Sequence, residues 1–444
     1  MMTKRLSIFL MILLFTHPDN CLAGWRFVHP MPHGRYDHDA TLGPDHKIYV
    51  MGGVVFKVTK NRIIRKYNSG KYSTLVYDIK KDTWKYLDPV PGKIMPDSVA
   101  YYDDKKHDWR YVNLYHYEIH TREKDEVRCV TREQVKKAHP GKTRDTDLYR
   151  QGRGVAVVTA KDGKIWWLGG MDFAGLGQDI VLVYNPKTHA WTKVTYKKVK
   201  RGHKYIYEPR HDPDIPHMLE RRVFHRAVVT SDGKIYVMGG ERLEKGTDAQ
   251  GHLNKEVRTN TVECYDPENK WEYRKPMKIK RTLFAAVVGP DDKIYVFGGA
   301  GDEKPDHSIP TLNTVVVYDP RDNTWSSRKP MPVPRATHAG VLAADGKIYI
   351  MGGKSDEYGP PLKDVFIYDP ARDTWERGPD MNVPRAGLAA VATPEGKIYA
   401  IGGTDVGAYE TRRSINVFLP RKYELYTGKV QDTVEVLDVF NMDP

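Results

Sequence analysis

Five arginines, Arg35, Arg222, Arg281, Arg335 and Arg385, recur at one place in an internal repeat, just ahead of a run of small apolar residues. Arg150 or Arg153 occupies the corresponding region of a further copy. Guanidiniums gathered from several repeats can clamp carboxylate or sulfate groups through paired N–H donors, which makes the five candidate ligand-binding residues. The competing chemistry is internal. Asp172, Glu241, Asp302, Asp356 and Asp405 follow the repeat's double glycine, and arginines tied to them would brace one repeat against the next. Three residues beyond the arginine stand His38, His225 and His338, with Phe284 and Leu388 at the equivalent sites of other copies. Aligned imidazoles suggest a metal, but a column spread over separate repeats reads better as packed strand residues, and neither metal nor cofactor is expected. The stretch His203…His211-Asp212…Asp214…His217 has metal-binding residue types in a spacing that fits no known ligand pattern. Tyr205, Tyr207, Tyr358 and Tyr409, with Lys197, Lys198, Lys200 and Arg201 nearby, suit a sugar or an anionic glycan.

The element that must position these side chains is a phrase present six times, Lys47-Ile-Tyr-Val-Met-Gly52-Gly53 and its copies ending at Gly170, Gly240, Gly299, Gly353 and Gly403. A repeat this regular sets the architecture. In the unit from Arg335 to Trp375, residues 336–343 form a small-residue inner strand, and Asp345-Gly346 makes a tight turn. Ile348 to Met351 is a second strand, Val365 to Tyr368 a third, and Trp375 opens a fourth after the Asp369-Pro370 turn. Four short antiparallel strands per unit, with no helical period between them, predict an all-β propeller. The last copy has a third strand from Val434 to Leu437 but no tryptophan after it. Trp25 to Pro32 mirrors Trp325 to Pro332, so residues 25–30 are expected to close the ring as the last blade's fourth strand and leave no open edge.

Six blades are clear, and a seventh is open. The interval between Gly53 and Gly170 is close to two units, and 93–150 is either a degenerate blade or an insertion. Within it Ser98 to Tyr102 is expected to pair with Trp109 to Tyr115, and Thr131 with Gln134 to open a short helix stopped by Pro140-Gly141. Strand polarity sorts the connections. Those between strands two and three, and between strand four and the next strand one, leave at one face. The others leave at the opposite face and are tight, as at Asp232-Gly233, Asp319-Pro320, Asp345-Gly346 and Asp369-Pro370. Nearly every long segment, among them 54–72, 192–220, 241–260 and 404–432, falls in the first class, which is the expected binding face.

The double glycines alternate with a Tyr-Asp-Pro…Trp half, seen at Tyr77/Trp84, Tyr184/Trp191, Tyr265/Trp271, Tyr318/Trp325 and Tyr368/Trp375. Together they resemble the kelch-repeat family over most of the chain, and the resemblance implies a kelch β-propeller. The chain is also similar to the periplasmic kelch-type sialic acid mutarotases, whose post-glycine Glu followed by Arg-Thr is matched by Gly240-Glu241…Arg258-Thr259 across a longer intervening loop. That likeness implies Glu241 as general acid/base at the ring oxygen or anomeric hydroxyl and Arg258 as the holder of the substrate carboxylate. The copper-radical galactose oxidases resemble the chain in fold only, because Cys264-Tyr265 sits within a third strand away from the axis.

Lys4 and Arg5, the apolar run Leu6 to Phe15, and Ala23 before Gly24 read as a secretory signal over 1–23, too short to remain as a membrane span. Residues 24–444 form the propeller and carry +12 of the formal +13, a balance that favours acidic partners. Cys129 and Cys264 are expected as free, buried thiols. No nucleophile elbow, phosphate loop or zinc-binding pattern is present. The expectation is therefore a secreted or periplasmic binding scaffold for an anionic glycan or a protein. Nucleic acid is not an expected partner, no integral membrane segment remains after the signal is removed, and a mutarotase-type isomerase is the enzymatic alternative.

Overall fold

The computed structural model describes residues 24–55, 57–59, 62–64, 74–87, 93–103, 108–113, 118–121, 124–127, 143–149, 152–171, 177–192, 195–201, 204–210, 217–245, 254–268, 270–305, 308–356, 359–405 and 430–442. Six four-stranded antiparallel sheets form the ring. Blade one is Arg35–Leu42, Lys47–Val55, Thr74–Asp78 and Thr83–Tyr86. Blade two is Ala156–Thr159, Ile165–Leu168, Val181–Asn185 and Ala190–Trp191. Blade three is Arg226–Val229, Ile235–Met238, Val262–Asp266 and Lys270–Arg274, and blade four is Ala285–Val288, Ile294–Phe297, Val315–Asp319 and Thr324–Arg328. Blade five is Ala339–Leu342, Ile348–Met351, Val365–Asp369 and Thr374–Arg377. Blade six takes Ala389–Ala392, Lys397–Ile401 and Val434–Asp438 from the end of the chain and Arg26–Val28 from its beginning. Arg26 pairs with Val436 and Val28 with Val434, so the expected closure by the first strand is present.

The second strand of each unit is apolar without interruption because it has no wet face. Ile48 and Val50 of blade one pack into the wedge shared with blade six, and Tyr49 and Met51 into the wedge shared with blade two. The same division repeats around the molecule, so the core is six wedges between neighbouring blades. The tryptophans clamp the rim. Trp84, Trp325, Trp375 and Trp25 donate from the indole nitrogen to His29, Lys275, Lys329 and Pro379 carbonyls, each on the preceding blade, at 2.8–3.1 Å. The rings of Trp84, Trp325 and Trp375 lie against the Tyr of the third strand, as in Tyr77–Trp84 with centroids 4.8 Å apart.

The inner strands of blades one and two are direct neighbours: the Asp39 carboxylate accepts from the Val157 amide at 2.8 Å, and Thr41 meets Thr159 at 2.9 Å. The ring therefore passes from one to the other with six blades in all. Between them in sequence, Lys93–Asp103 pairs with Asp108–Asn113 and Thr143–Tyr149 in a separate three-stranded sheet. Tyr102 pairs with Trp109 and Ser98 with Asn113, so the two segments expected to pair do so. The helix expected at Thr131 to Pro140 and the signal over 1–23 lie outside the described residues.

Candidate functional site: the loop-bearing mouth of the channel

The five arginines start at this mouth but turn inward. All are at most 1% exposed. Each donates from Nη1 to the carbonyl of the first glycine in its own blade's pair: Arg35 to Gly52, Arg222 to Gly239, Arg281 to Gly298, Arg335 to Gly352 and Arg385 to Gly402, at 2.6–3.2 Å. In four of the five a further N–H group reaches the third strand or the residue just before it. Arg222 meets Glu263 at 2.7 Å and Arg385 meets Glu435 at 2.9 Å, both pairs fully buried. Arg335 meets Asp364 at 2.6 Å and stacks on Phe366, and Arg281 reaches only the Thr314 hydroxyl. Burial pulls Arg281 and Arg35 down to about 10.

The carboxylates that follow the double glycines take other partners, Glu241 with Arg258 and Asp302 with Lys280. The arginines thus brace strands within a blade. Their backbone carbonyls do the joining between blades, accepting from the second glycine of the preceding pair, as in Gly403 to Arg35 and Gly170 to Arg222.

Blade two shows the rule by its exception. Gly152 stands at the arginine position, and its carbonyl accepts from Gly53 as an arginine's would. Its own side-chain space is filled by the Trp167 ring, and the Trp167 indole donates to the Gly169 carbonyl at 3.1 Å in place of the missing guanidinium. The third strand there carries Ile180 and Leu182, with no polar partner needed.

Two residues past the arginine position the chain turns through a left-handed conformation in every blade: Asp37, Gly154, Phe224, Leu283, Thr337 and Gly387, with φ of 53–64°. Their peptides form a closed collar. Asp37 donates to Gly387, Gly387 to Thr337, Thr337 to Leu283, Leu283 to Phe224, Phe224 to Gly154, and Gly154 back to Asp37, at 2.8–3.2 Å. Six amides and six carbonyls are satisfied in one circuit around the axis, which fixes the rim from which the long connections spring.

Within the rim lie the charged groups that do face the axis. Arg153 Nε donates to Asp37 at 2.8 Å and its guanidinium packs over Tyr36 and Phe224. Glu241 and Arg258 are cross-strand partners in the ribbon formed by Glu241–Lys245 and Asn254–Arg258, 3.3 Å apart and about one-eighth exposed. Arg226 donates to the Phe284 carbonyl, and its charge acts on His38 and Asp39 of blade one and on His338 of blade five, which places it at the axis. Burial raises Asp39 against the pull of Arg226. Asp39 and Arg226 were not singled out from the sequence, although they occupy a column that is alanine in the other blades, Ala156, Ala285, Ala339 and Ala389. Toward the tight-turn face the axis opens into a cavity of about 290 Å³ lined by Thr41, Thr159, Val229, Val288 and Leu342 among others.

His38, His225 and His338 are buried in separate blades, the first two resting a ring carbon against the first glycine of the preceding pair. Burial first, then the neighbouring Arg35, Arg222 or Arg335, holds each well below the usual imidazole value, so all three are neutral. Cys264 is a free, buried thiol. His203, His211, Asp212, Asp214, Cys129, Tyr358 and Tyr409 lie outside the described residues; His217 is described and pairs with Asp179 at 3.3 Å. Among the described residues no helix is long and apolar enough to cross a membrane.

Comparison with known proteins agrees with this geometry. The KLHDC2/KLHL20/DRC7 Kelch-repeats domain matches residues 208–403 and the Kelch motif matches 153–197. Alpha-scruin of Limulus polyphemus is 28% identical over 207 residues, 46% of this chain and 19% of that protein. Kelch-like protein 35 of Mus musculus is 32% identical over 142 residues, 32% of this chain and 20% of that protein. Kelch repeat and BTB domain-containing protein 12 of Homo sapiens is 34% identical over 138 residues, 29% of this chain and 21% of that protein. The matched stretch thus spans about a fifth of the length of these relatives. With six double-glycine blades, the arginine-to-glycine brace and the Tyr–Trp rim, the chain belongs to the kelch-repeat β-propeller family.

Proposed function

We propose that the chain is a secreted or periplasmic binding scaffold that holds a macromolecular partner, a protein or an anionic glycan, on its loop-bearing face. Kelch propellers generally bind proteins. The observation that carries the reading is the asymmetry between the two faces. One face bears ribbons between blade strands, such as Lys57–Thr59 with Arg62–Ile64, Thr195–Arg201 with Lys204–Arg210, and Glu241–Lys245 with Asn254–Arg258. The other bears turns of three to five residues between strands. The collar and braces make the rim rigid, so the ribbons are presented without ordering the platform on binding. A photoreactive residue placed at Lys197 or Arg242, in cells that export the chain, is expected to give partner adducts, and one at Arg321 or Lys347 is expected to give none. Equal labelling from both faces would refute it. A secreted product beginning at Gly24 is the companion expectation, read by mass.

A second reading is favoured by one pair. Glu241 and Arg258 stand side by side at the mouth with Arg153 close by, an arrangement in which a carboxylate could move a proton while an arginine holds an acidic sugar. Ring-opening exchange of a carboxylated sugar followed by NMR, abolished in Glu241→Gln, is the outcome this reading requires; its absence for all acidic sugars removes it.

A further inference from the structure

The positive charge of this protein is not spread over the propeller. Residues 56–73 hold six basic residues and no acidic one, and residues 193–210 hold seven and one. Each stretch contributes +6, together the whole of the +12 carried by residues 24–444, so the rest of the chain is electrically balanced. Both stretches contain a two-stranded ribbon outside the blades. In the first, Lys57 pairs with Ile64 and Thr59 with Arg62, in the connection between strands two and three of blade one. In the second, Thr195–Arg201 pairs with Lys204–Arg210, in the connection from blade two to blade three. Strand polarity brings both out at the loop-bearing face, from adjacent blades.

We propose that the ribbon Thr195–Arg201/Lys204–Arg210, flanked by the ribbon Lys57–Thr59/Arg62–Ile64, is the docking element for a polyanionic glycan, a sulfated or uronic-acid polysaccharide. The inference deepens the scaffold reading and rests on it. The register sets Lys198 opposite Tyr207, Lys200 opposite Tyr205 and Tyr196 opposite Pro209. Alternation along a strand assigns these six residues to one face, with the two lysines about 7 Å apart. Lysines at that interval, each cross-strand from a tyrosine in the register, match a linear polymer that offers an anion and an apolar sugar face in turn. A seven-pair ribbon runs for about 23 Å, the length of several sugar units. An acidic protein is the poorer fit, because protein interfaces deplete lysine and centre on apolar anchors, and Val199 and Ile206 are the ribbon's only aliphatic residues.

The test uses the whole chain and fluorescence anisotropy with labelled heparin oligosaccharide, a polyglutamate peptide and a dT20 strand as probes. Heparin is expected to bind tightest and to weaken steeply with salt. Lys198→Gln/Lys200→Gln/Arg201→Gln is expected to bind it at least tenfold more weakly, with the salt slope reduced by about the number of cations removed. Tyr205→Ala/Tyr207→Ala should weaken it with the slope unchanged. Lys161→Gln/Lys164→Gln/Lys347→Gln, the same loss of charge at the tight-turn face, should bind within twofold of wild type, and unchanged melting curves verify folding. Equal loss in both lysine sets reduces the effect to net charge and overturns the proposal; tighter binding of dT20 or polyglutamate overturns the ligand class. Absent heparin binding with partner adducts retained at Lys197 discards the glycan alone, whereas loss of both discards the binding face as well.

Discussion

If Gly152 and Trp167 together replace one arginine brace, then the two positions must be energetically inseparable. Trp167→Val restores the residue type found in this strand position of blades one, three and four, Val50, Val237 and Val296. It empties a core site 1% exposed and leaves the Gly169 carbonyl without its indole donor. Loss of the ring costs about 3 kcal/mol and the orphaned carbonyl about 1 more. Gly152→Arg is worse. Its Cβ lands in the Trp167 ring, φ is +60°, and the guanidinium finds the Gly169 carbonyl already taken. Overpacking, a left-handed side chain and an unpaired buried charge amount to at least about 4 kcal/mol.

If the two costs were independent, the combination would lose about 8 kcal/mol, most of the stability of an ordinary domain. The brace argument says otherwise. Gly152→Arg/Trp167→Val/Ile180→Thr recreates the set of blade four, where Arg281 has the Gly298 carbonyl and the Thr314 hydroxyl. That triple variant is expected to lie within about 2–3 kcal/mol of wild type, the residue being the backbone change at position 152. Urea unfolding of the full chain followed by circular dichroism measures it, since fluorescence would follow the tryptophan itself. A triple variant as unstable as the sum of its parts would refute the equivalence, as would a Trp167→Val that costs under 1 kcal/mol.

Other consequences are equally direct. Trp25→Ala should cost about 3–5 kcal/mol, because a buried indole that donates to Pro379 of blade five is lost from the ring's closing strand; a shift of under 1 kcal/mol would mean the closure is ornamental. Arg222→Met should cost about 3–5 kcal/mol by stranding Glu263 in the core, and Arg222→Met/Glu263→Val should recover most of it. The buried histidines predict acid sensitivity. Their folded pKa values are depressed, so their contribution to stability is full above the unfolded value near 6.5 and is lost as pH falls below it, by up to about 1.4 kcal/mol per pH unit for each ring. His338→Leu, the residue type of blade six, should flatten the fall in melting temperature between pH 6.5 and 5 by about a third, whereas an unchanged slope would assign the acid limb to other groups.

Much of this was legible because kelch units repeat their buried positions. The double glycine, the Ile-Tyr phrase and the Tyr…Trp half each report one packing requirement met six times, and even the closing strand could be read from the likeness of Trp25 to Trp325. What escaped was the direction of side chains. The arginine column was visible, but nothing in a linear sequence distinguishes a guanidinium pointed at the channel from one folded back onto Gly52 or Gly402. The tell was in the third strand, where Thr261, Thr314, Asp364 and Thr433 precede the first apolar residue and Glu263 and Glu435 interrupt it. Blade two lacks both the arginine and these partners. The axial pair Asp39 and Arg226 escaped for a different reason: each is a single departure within a column, and repeat reading rewards agreement.

The braces also explain where variation is tolerated. Each arginine closes its own blade through its side chain and joins the preceding blade through its carbonyl, and the collar closes the ring a second time through six peptides. Neither device uses a residue from a long connection. The ribbons at 57–64, 195–210 and 241–258 leave the rim after these bonds are made and return before the next set begins, so their composition is decoupled from the closure of the ring. A platform fixed by backbone circuits can carry a +12 excess on the two connections 56–73 and 193–210 without its own carboxylates having to answer it, and ribbon substitutions that change ligand affinity should leave melting behaviour unmoved. Coupling between the two, a ribbon charge variant that melts early, would mean that the ribbons fold back onto the blades, and the separation of scaffold from recognition would then fail in this protein.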